Sequence, residues 1–292
     1  MDNTLVFKEF PRTLVLGASG MIGSTISSYL YDKTLLLEAH RKKSKCLSHR
    51  QYFLKNVEYE SLSKLIFEFK PDYVINCIGL TKHLASSDSL EYFYPNILIP
   101  RYLKRLKIEF NFMLIHISSD CVFNGKLGNY SEKSVPDSLD FYGLTKAISE
   151  SDLENHAMIL RTSTVGYEQD TNQGLVEWFL HSDTEINGYS RAFFNGVTTL
   201  ELAKVIGEII SKKIVMEHGI FHVTGNKISK FDFLLLLNDV HKAKKNIQKD
   251  NSFFIDRTLN KSKKIHALDR SKSSWKKMLI EMKDYRDNEI FK

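Results

Sequence analysis

The chain has 292 residues, 42% hydrophobic and 26% charged, a size and balance that suit one large globular α/β unit or a main domain with a smaller appended one. No apolar run reaches the roughly 18 residues that a bilayer-spanning helix needs, which argues against membrane insertion. The net charge of +6 is modest and suits an anionic small ligand; without zinc-finger spacing or an aromatic RNA-binding motif, it does not indicate a nucleic-acid partner.

The opening "MDNTLVFKEFPRTLVLG" has an early Asp, no basic segment and no small-residue cleavage site, so it does not read as an export leader. Cys46, Cys77 and Cys121 have neither metal-ligand nor framework spacing and read as reduced thiols of a cytoplasmic protein.

Taken in order, "TLVLGA" (13–18) is a short apolar run ending at a glycine turn, and 21–31 carries apolar residues at helical spacing. "TLLLEA" (34–39) reads as a second buried strand, with a weak strand before residue 60. A helix over 61–70 stops at Pro71; strands follow at 72–79 and 112–119, with a helix over 95–108 between them. A helix over 143–153 and a strand over 157–163 continue the alternation. Strands that are nearly all apolar and alternate with helices predict a parallel sheet covered on both faces. Beyond 165 the pattern loosens, until a helix (200–213), a strand (219–225) and a helix (230–240). The lysines of "KAKKNIQKD" read as a solvated surface. The expected organisation is a Rossmann-type doubly wound sheet over 1–165 and a smaller α/β substrate-binding region over 166–292, interleaved with the first.

"LVLGASGMIGSTI" places Gly17, Gly20 and Gly23 at G-x-x-G-x-x-G spacing between the first strand and the first helix. There, glycine permits a tight turn and lets a pyrophosphate approach the backbone at the positive end of a helix. In that context a plain flexible turn is the weaker reading, and Gly17, Ser19, Gly20, Met21, Ile22 and Gly23 are expected to cradle a dinucleotide. The second strand ends "LLLEAHRKKSK": Glu38 lies within it, and Arg41, Lys42 and Lys43 follow. Cations at this place favour a 2′-phosphate, which Arg41 and Lys43 would hold; hence NADPH, with NADH as the alternative.

In "DFYGLTKAISE" Tyr142 and Lys146 stand four residues apart, on one face of a helix. Alone, this spacing is common in ordinary amphipathic helices. Together with "GASGMIG" (17–23), "VINCIG" (74–79), "HISSDCVFNGKLGNYSE" (116–132) and "ILRTSTVG" (159–166), in that order, the chain resembles the extended short-chain dehydrogenase/reductase superfamily. It looks most like the dTDP-4-dehydrorhamnose reductase branch.

That resemblance implies Tyr142 as catalytic acid, Lys146 as its partner and a ribose ligand, and Ser119 as the group that helps hold the keto oxygen. A neighbouring ammonium is expected to lower the phenol's pKa from its usual value near 10. It also implies cofactor contacts at Glu58, Cys77, Gly79 and Thr162, and substrate contacts at Asp120, Cys121 and Ser163. Lys82 and His83, just after a strand end, are placed to face substrate, although a solvated loop is the plainer alternative. Arg191 and Arg257 suit a diphosphate, and Trp178 a sugar, although ion pairs for the arginines and core packing for the tryptophan are the plainer alternatives. His116 reads as packed within its strand. Related dehydratases carry Thr-Asp-Glu where this chain has Ser119-Asp120-Cys121, so elimination lacks its base.

The implied activity is NADPH-dependent reduction of the 4-keto group of a nucleotide-linked 4-keto-6-deoxy sugar for surface polysaccharide, the UDP-N-acetylated sugars included. A sugar-nucleotide 4-epimerase and a non-enzymatic regulatory subunit are the alternatives. The partner is the nucleotide sugar, and a homodimer is compatible with the sequence.

Overall fold

In a computed structural model the described residues are 10–41, 50–81, 89–168 and 174–290. The main sheet begins with β1 (Arg12–Leu16), β2 (Leu35–His40), β3 (Gln51–Phe53), β4 (Tyr73–Asn76), β5 (Met113–Ser119) and β6 (Met158–Thr162). Its seventh strand, β10 (Gly219–His222), follows three short or peripheral strands, β7 (Thr164–Val165), β8 (Glu185–Phe194) and β9 (Val197–Thr198). The order is β10-β6-β5-β4-β1-β2-β3, and every neighbouring pair is parallel. Residues from both sides of position 165 therefore build one sheet.

The near-continuous apolar strands follow from the pleat, because successive side chains enter opposite cores. Leu14, Leu16, Val74, Leu114 and Ile159 pack on one face with α2 (Tyr59–Phe69) and α3 (Ile99–Phe110). Val15, Ile75, Ile115, Met158 and Leu160 pack on the other with α1 (Met21–Leu30) and α6 (Thr199–Ile210). The helix expected at 61–70 starts two residues earlier and ends at Phe69, where Lys70 turns left-handed at φ 49° ahead of Pro71. The helix expected at 95–108 is α3 preceded by a wider π turn, Tyr94–Leu98, which buries Asn96.

The second region joins β8 to β11 (Ile228–Ser229) and β12 (Asn246–Asp256). It packs against α7 (Lys230–His241) and α8 (Trp275–Ile290), with Phe194, Phe233 and Trp275 meeting edge to face at 5.2–5.5 Å. The loose stretch before residue 199 contains the ten-residue β8, and β12 begins at Asn246 within "KAKKNIQKD", where Lys242, Lys244 and Lys249 are exposed as expected. Most β12 side chains are exposed, so backbone pairing to β8 defines the strand and leaves little apolar signal. Among the described residues, no helix is long and apolar enough to cross a membrane.

Candidate active site

The carboxyl ends of the main strands gather the glycine turn, Ser119 and Lys146's partners along one edge, where open α/β sheets bind ligands. After β1, Gly17 adopts φ +77°, and a Cβ there would lie 3.1 Å from the backbone at Cys77 and Ile78. A Cβ on Gly23 would stand 2.1 Å from Gly17 O, so this glycine lets α1 press onto the turn. Gly20 differs: it caps α1 in extended conformation, and its Cβ would meet only Gly17 O, at 3.4 Å. Space is thus left open where the helix presents its N-terminus, with no side-chain cap and no acidic residue in the first turn. Ser19 and Gly20 are exposed there, Met21 and Ile22 partly so. This cradle fits a dinucleotide pyrophosphate.

At the end of β2, Glu38 is engaged by His40, whose Nε2 lies 3.0 Å from Oε2, and Arg41 is exposed just beyond. Lys43 lies outside the described residues, as do Lys82 and His83. Glu58 is exposed at the start of α2.

α4 (Phe141–Leu153) is capped by Asp140, whose Oδ1 accepts from Gly143 N at 2.9 Å. Gly143 is needed at this start: a Cβ would fall 2.2 Å from Cys121 O and from Ser138 Oγ. The helix therefore seats tightly against the Ser119–Cys121 turn, which brings Tyr142 beside Ser119, close enough for the serine to pull the phenol's pKa downward. Ser119 Oγ also donates to Asp120 Oδ1 (3.2 Å) and accepts from Cys121 N (3.1 Å).

One turn on, Lys146 is 4% exposed. Its Nζ donates to Ile117 O at 2.7 Å and lies 3.4 Å from His116 Nε2. Burial lowers its pKa to about 8, against the opposing pull of Glu150 and Cys77. The Tyr142 phenol is raised, not lowered: burial comes first, then Cys121, with only the Ser119 hydrogen bond pulling downward among the side chains that act on it. This corrects the expected effect of Lys146, whose amine is directed at Ile117 O, not at the phenol.

Cys77 and Gly79 lie close to Lys146. Burial pushes the Cys77 thiol up to about 12, and a Cβ on Gly79 would sit 3.3 Å from Asn96 Oδ1 and 4.0 Å from Lys146 Nζ. Thr162 is buried beside Ser119 in the β5–β6 register. The Ser163 carbonyl accepts from Val197 N at 2.9 Å and leaves no room for a Cβ on Gly196.

On the outer side, Arg257 Nε donates to Phe123 O (2.9 Å) and Nη1 to Cys121 Sγ (3.5 Å). The 256–260 segment is tied there by the Tyr130–Leu259 bridge and the bond from Asn129 N to Thr258 Oγ1 (2.9 Å). Asp120 is raised above the usual carboxylate range by burial, which outweighs Arg257 and Lys230. Lys230, which the sequence reading did not single out, reaches this cluster from the first turn of α7, its Nζ 4.3 Å from the Phe194 ring centre. A lysine in "NKISKFDF" carries no local mark of such a role. Arg191 goes elsewhere: it is exposed on β8, stacked over Phe254 at 5.3 Å, and among the described residues no hydrogen bond links it to the Ser119–Tyr142 group. Trp178, expected to be more core-like, is 41% exposed on α5 (Leu175–His181).

The strand order, the glycine turn and the Ser119, Tyr142 and Lys146 cluster together define a Rossmann-type protein of the extended short-chain dehydrogenase/reductase class. More narrowly, the chain belongs to the RmlD substrate binding domain family, whose model matches residues 11–281. It is 29% identical over 244 residues to a dTDP-4-dehydrorhamnose reductase of Aggregatibacter actinomycetemcomitans, covering 80% of each chain. It is 24% identical over 247 residues to methionine adenosyltransferase 2 subunit beta of Xenopus laevis, covering 78% of this chain and 71% of that one. The crystal structure of a Bacillus anthracis dTDP-4-dehydrorhamnose reductase in complex with NADP superposes with a TM-score of 0.78 at 18% identity, covering 94% of this chain and 99% of that one.

Proposed function

We propose that this protein is an NADPH-dependent reductase of the 4-keto group of a nucleotide-linked 4-keto-6-deoxy sugar. The observation that carries the reading is the Ser119, Tyr142 and Lys146 cluster, set on the same sheet edge as a glycine turn open to a pyrophosphate. NADPH is favoured over NADH because Glu38 is taken up by His40 while Arg41 stands exposed at the strand end. When bound, the nicotinamide cofactor would supply the hydride for the carbonyl carbon.

The chain's own residues supply the rest. Tyr142 carries its proton at neutral pH, as an ordinary phenol does, and burial holds that proton more firmly until it is delivered to the carbonyl oxygen. The new O–H bond forms as the O–H bond of the phenol breaks. Ser119, beside Tyr142, turns its hydroxyl from Asp120 to the same oxygen and fixes the approach. Lys146, close to Gly79, would hold the cofactor ribose. Arg257 and Lys230 supply positive charge on the substrate side, beside Asp120 and Cys121. Residues 1–165 act chiefly on the cofactor and 166–292 on the nucleotide sugar, and the product serves as an activated deoxy sugar for surface polysaccharide.

Tyr142→Phe removes the transferable proton and keeps the ring. It is expected to lower kcat about 100-fold or more while NADPH affinity stays within about threefold. Turnover equal to wild type removes Tyr142 from this role. A second reading, a non-catalytic nucleotide-binding subunit, is favoured by the likeness to methionine adenosyltransferase 2 subunit beta. A stable stoichiometric complex without turnover would select it.

A further inference from the structure

Beneath Lys146 lies a polar pair with a fixed direction. Asn76, the last residue of β4, and His116 of β5 face each other in the parallel register, and both are wholly buried. Asn76 Oδ1 accepts from Ile78 N at 3.1 Å, which orients the amide. Its Nδ2 therefore points at His116 Nδ1, 3.0 Å away. An amide N–H can only donate, so Nδ1 is the acceptor and the ring proton sits on Nε2. That N–H faces Lys146 Nζ at 3.4 Å and Ser149 Oγ at 3.5 Å. Ser149 spends its own proton on Lys146 O at 2.8 Å, so its lone pairs can receive the imidazole N–H. The Lys146 amine thus has a close acceptor in Ile117 O and a donor, not an acceptor, below it.

We propose that Asn76 and His116 form a positioning pair for Lys146: by holding an imidazole N–H under the amine, they direct it to Ile117 O and keep a donor where its ammonium would otherwise find a second acceptor. The proposal rests on Lys146 being the lysine of the reductase site.

The other groups around the amine are accounted for. Cys77 on β4 stays a neutral thiol, since burial pushes it up to about 12. Glu150 on α4 is turned to Arg161, at 2.6 Å, and to Ser118. His116 stays neutral, because burial, and then Lys146, holds it well below the usual imidazole range. Burial lowers Lys146 to about 8 in these surroundings. Swapping the donor below for an acceptor is the remaining handle on its charge.

Asn76→Asp provides that swap. A carboxylate at 76 can still accept from Ile78 N, but it draws the ring proton to Nδ1 and makes Nε2 an acceptor for Lys146. His116→Asn removes the N–H and keeps an oxygen for Asn76. The titration of Lys146 is read by 13Cε-lysine NMR on the full chain, its resonance assigned by its loss in Lys146→Met. Both Asn76→Asp and His116→Asn are expected to raise the midpoint by about one unit, a tenfold gain in proton affinity. The alkaline limb of kcat should move with it. A midpoint that stays within about 0.3 unit of wild type in the folded variants overturns the proposal, even if both lose thermal stability. Should neither variant fold, the 15N shifts of His116 in the wild-type chain decide: a ring proton on Nε2 supports the pair, and one on Nδ1 overturns it. The NMR arms need no turnover, so failure of the reductase reading and failure of this proposal are seen separately.

Discussion

The glycine turn allows the cofactor assignment to be tested apart from the fold. In Gly23→Ala the new methyl would sit 2.1 Å from Gly17 O, 2.8 Å from Gly17 C and 3.0 Å from Ala18 Cα. All three are backbone atoms, and carbon contacts settle near about 3.5 Å, so α1 or the turn must yield by more than about 1 Å. Overpacking of this kind costs about 1–3 kcal/mol, or roughly 2–5 °C in Tm for a chain of this size. Gly20→Ala is the contrast. Gly20 has φ −81° and ψ 165°, which any residue adopts, and its Cβ would come no nearer than 3.4 Å to Gly17 O. Its fold penalty should stay near about 0.5 kcal/mol, the weaker N-cap preference of Ala. Yet the methyl projects where a pyrophosphate must approach, and NADPH affinity should fall about 10- to 100-fold, or about 1.4–2.7 kcal/mol. Thermal unfolding and NADPH fluorescence titration read the two effects separately. A Gly20→Ala protein that binds NADPH like wild type would refute the placement of the phosphates at this turn.

Two further outcomes follow from the buried charges. Arg161 and Glu150 are 0% and 1% exposed and meet at 2.6 Å, so Glu150→Gln leaves a buried guanidinium without its counter-charge; chemical denaturation should show a loss of about 3–5 kcal/mol, and a loss below about 1 kcal/mol would contradict the pairing. His222 is buried beside Arg161, and burial, then that guanidinium, holds it down to about 3. Its unfolded imidazole binds a proton near pH 6.5, so the unfolded state takes up more protons below that pH. The stability it contributes is complete above about pH 6.5 and declines as pH falls toward about 3. Tm should drop steadily from pH 6.5 to 5, and a flat profile would count against a neutral buried His222.

The main sheet was legible because strands covered on both faces must be apolar throughout, and because the turns between them carry Gly and Pro. β12 was not, since most of its side chains are exposed, its ladder to β8 defines it, and its one apolar run is the three residues Phe253–Ile255. α8 was passed over although Trp275, Met278, Leu279 and Met282 form a buried stripe at helical spacing, because its polar face dominates the composition. Within the site, the glycine turn, Ser119, Tyr142 and Lys146 were legible as local motifs. Lys230 and the Arg161–Glu150–His222 network were not, because each depends on segments far apart in the chain meeting in space. The sign of the Tyr142 shift is not legible in sequence for a related reason: spacing places a lysine one turn away, but only the fold shows its amine bonded to Ile117 O.

The central claim is reduction of a nucleotide-linked 4-keto sugar at Tyr142. The most direct measurement follows NADPH absorbance while purified protein is offered dTDP- and UDP-linked 4-keto-6-deoxy sugars, N-acetylated forms included. With hydride-deuterated NADPH, one of these substrates should consume cofactor stoichiometrically and yield a product carrying deuterium at C4. A panel that leaves both cofactor and sugars unchanged, with NADPH shown to be bound, would contradict it.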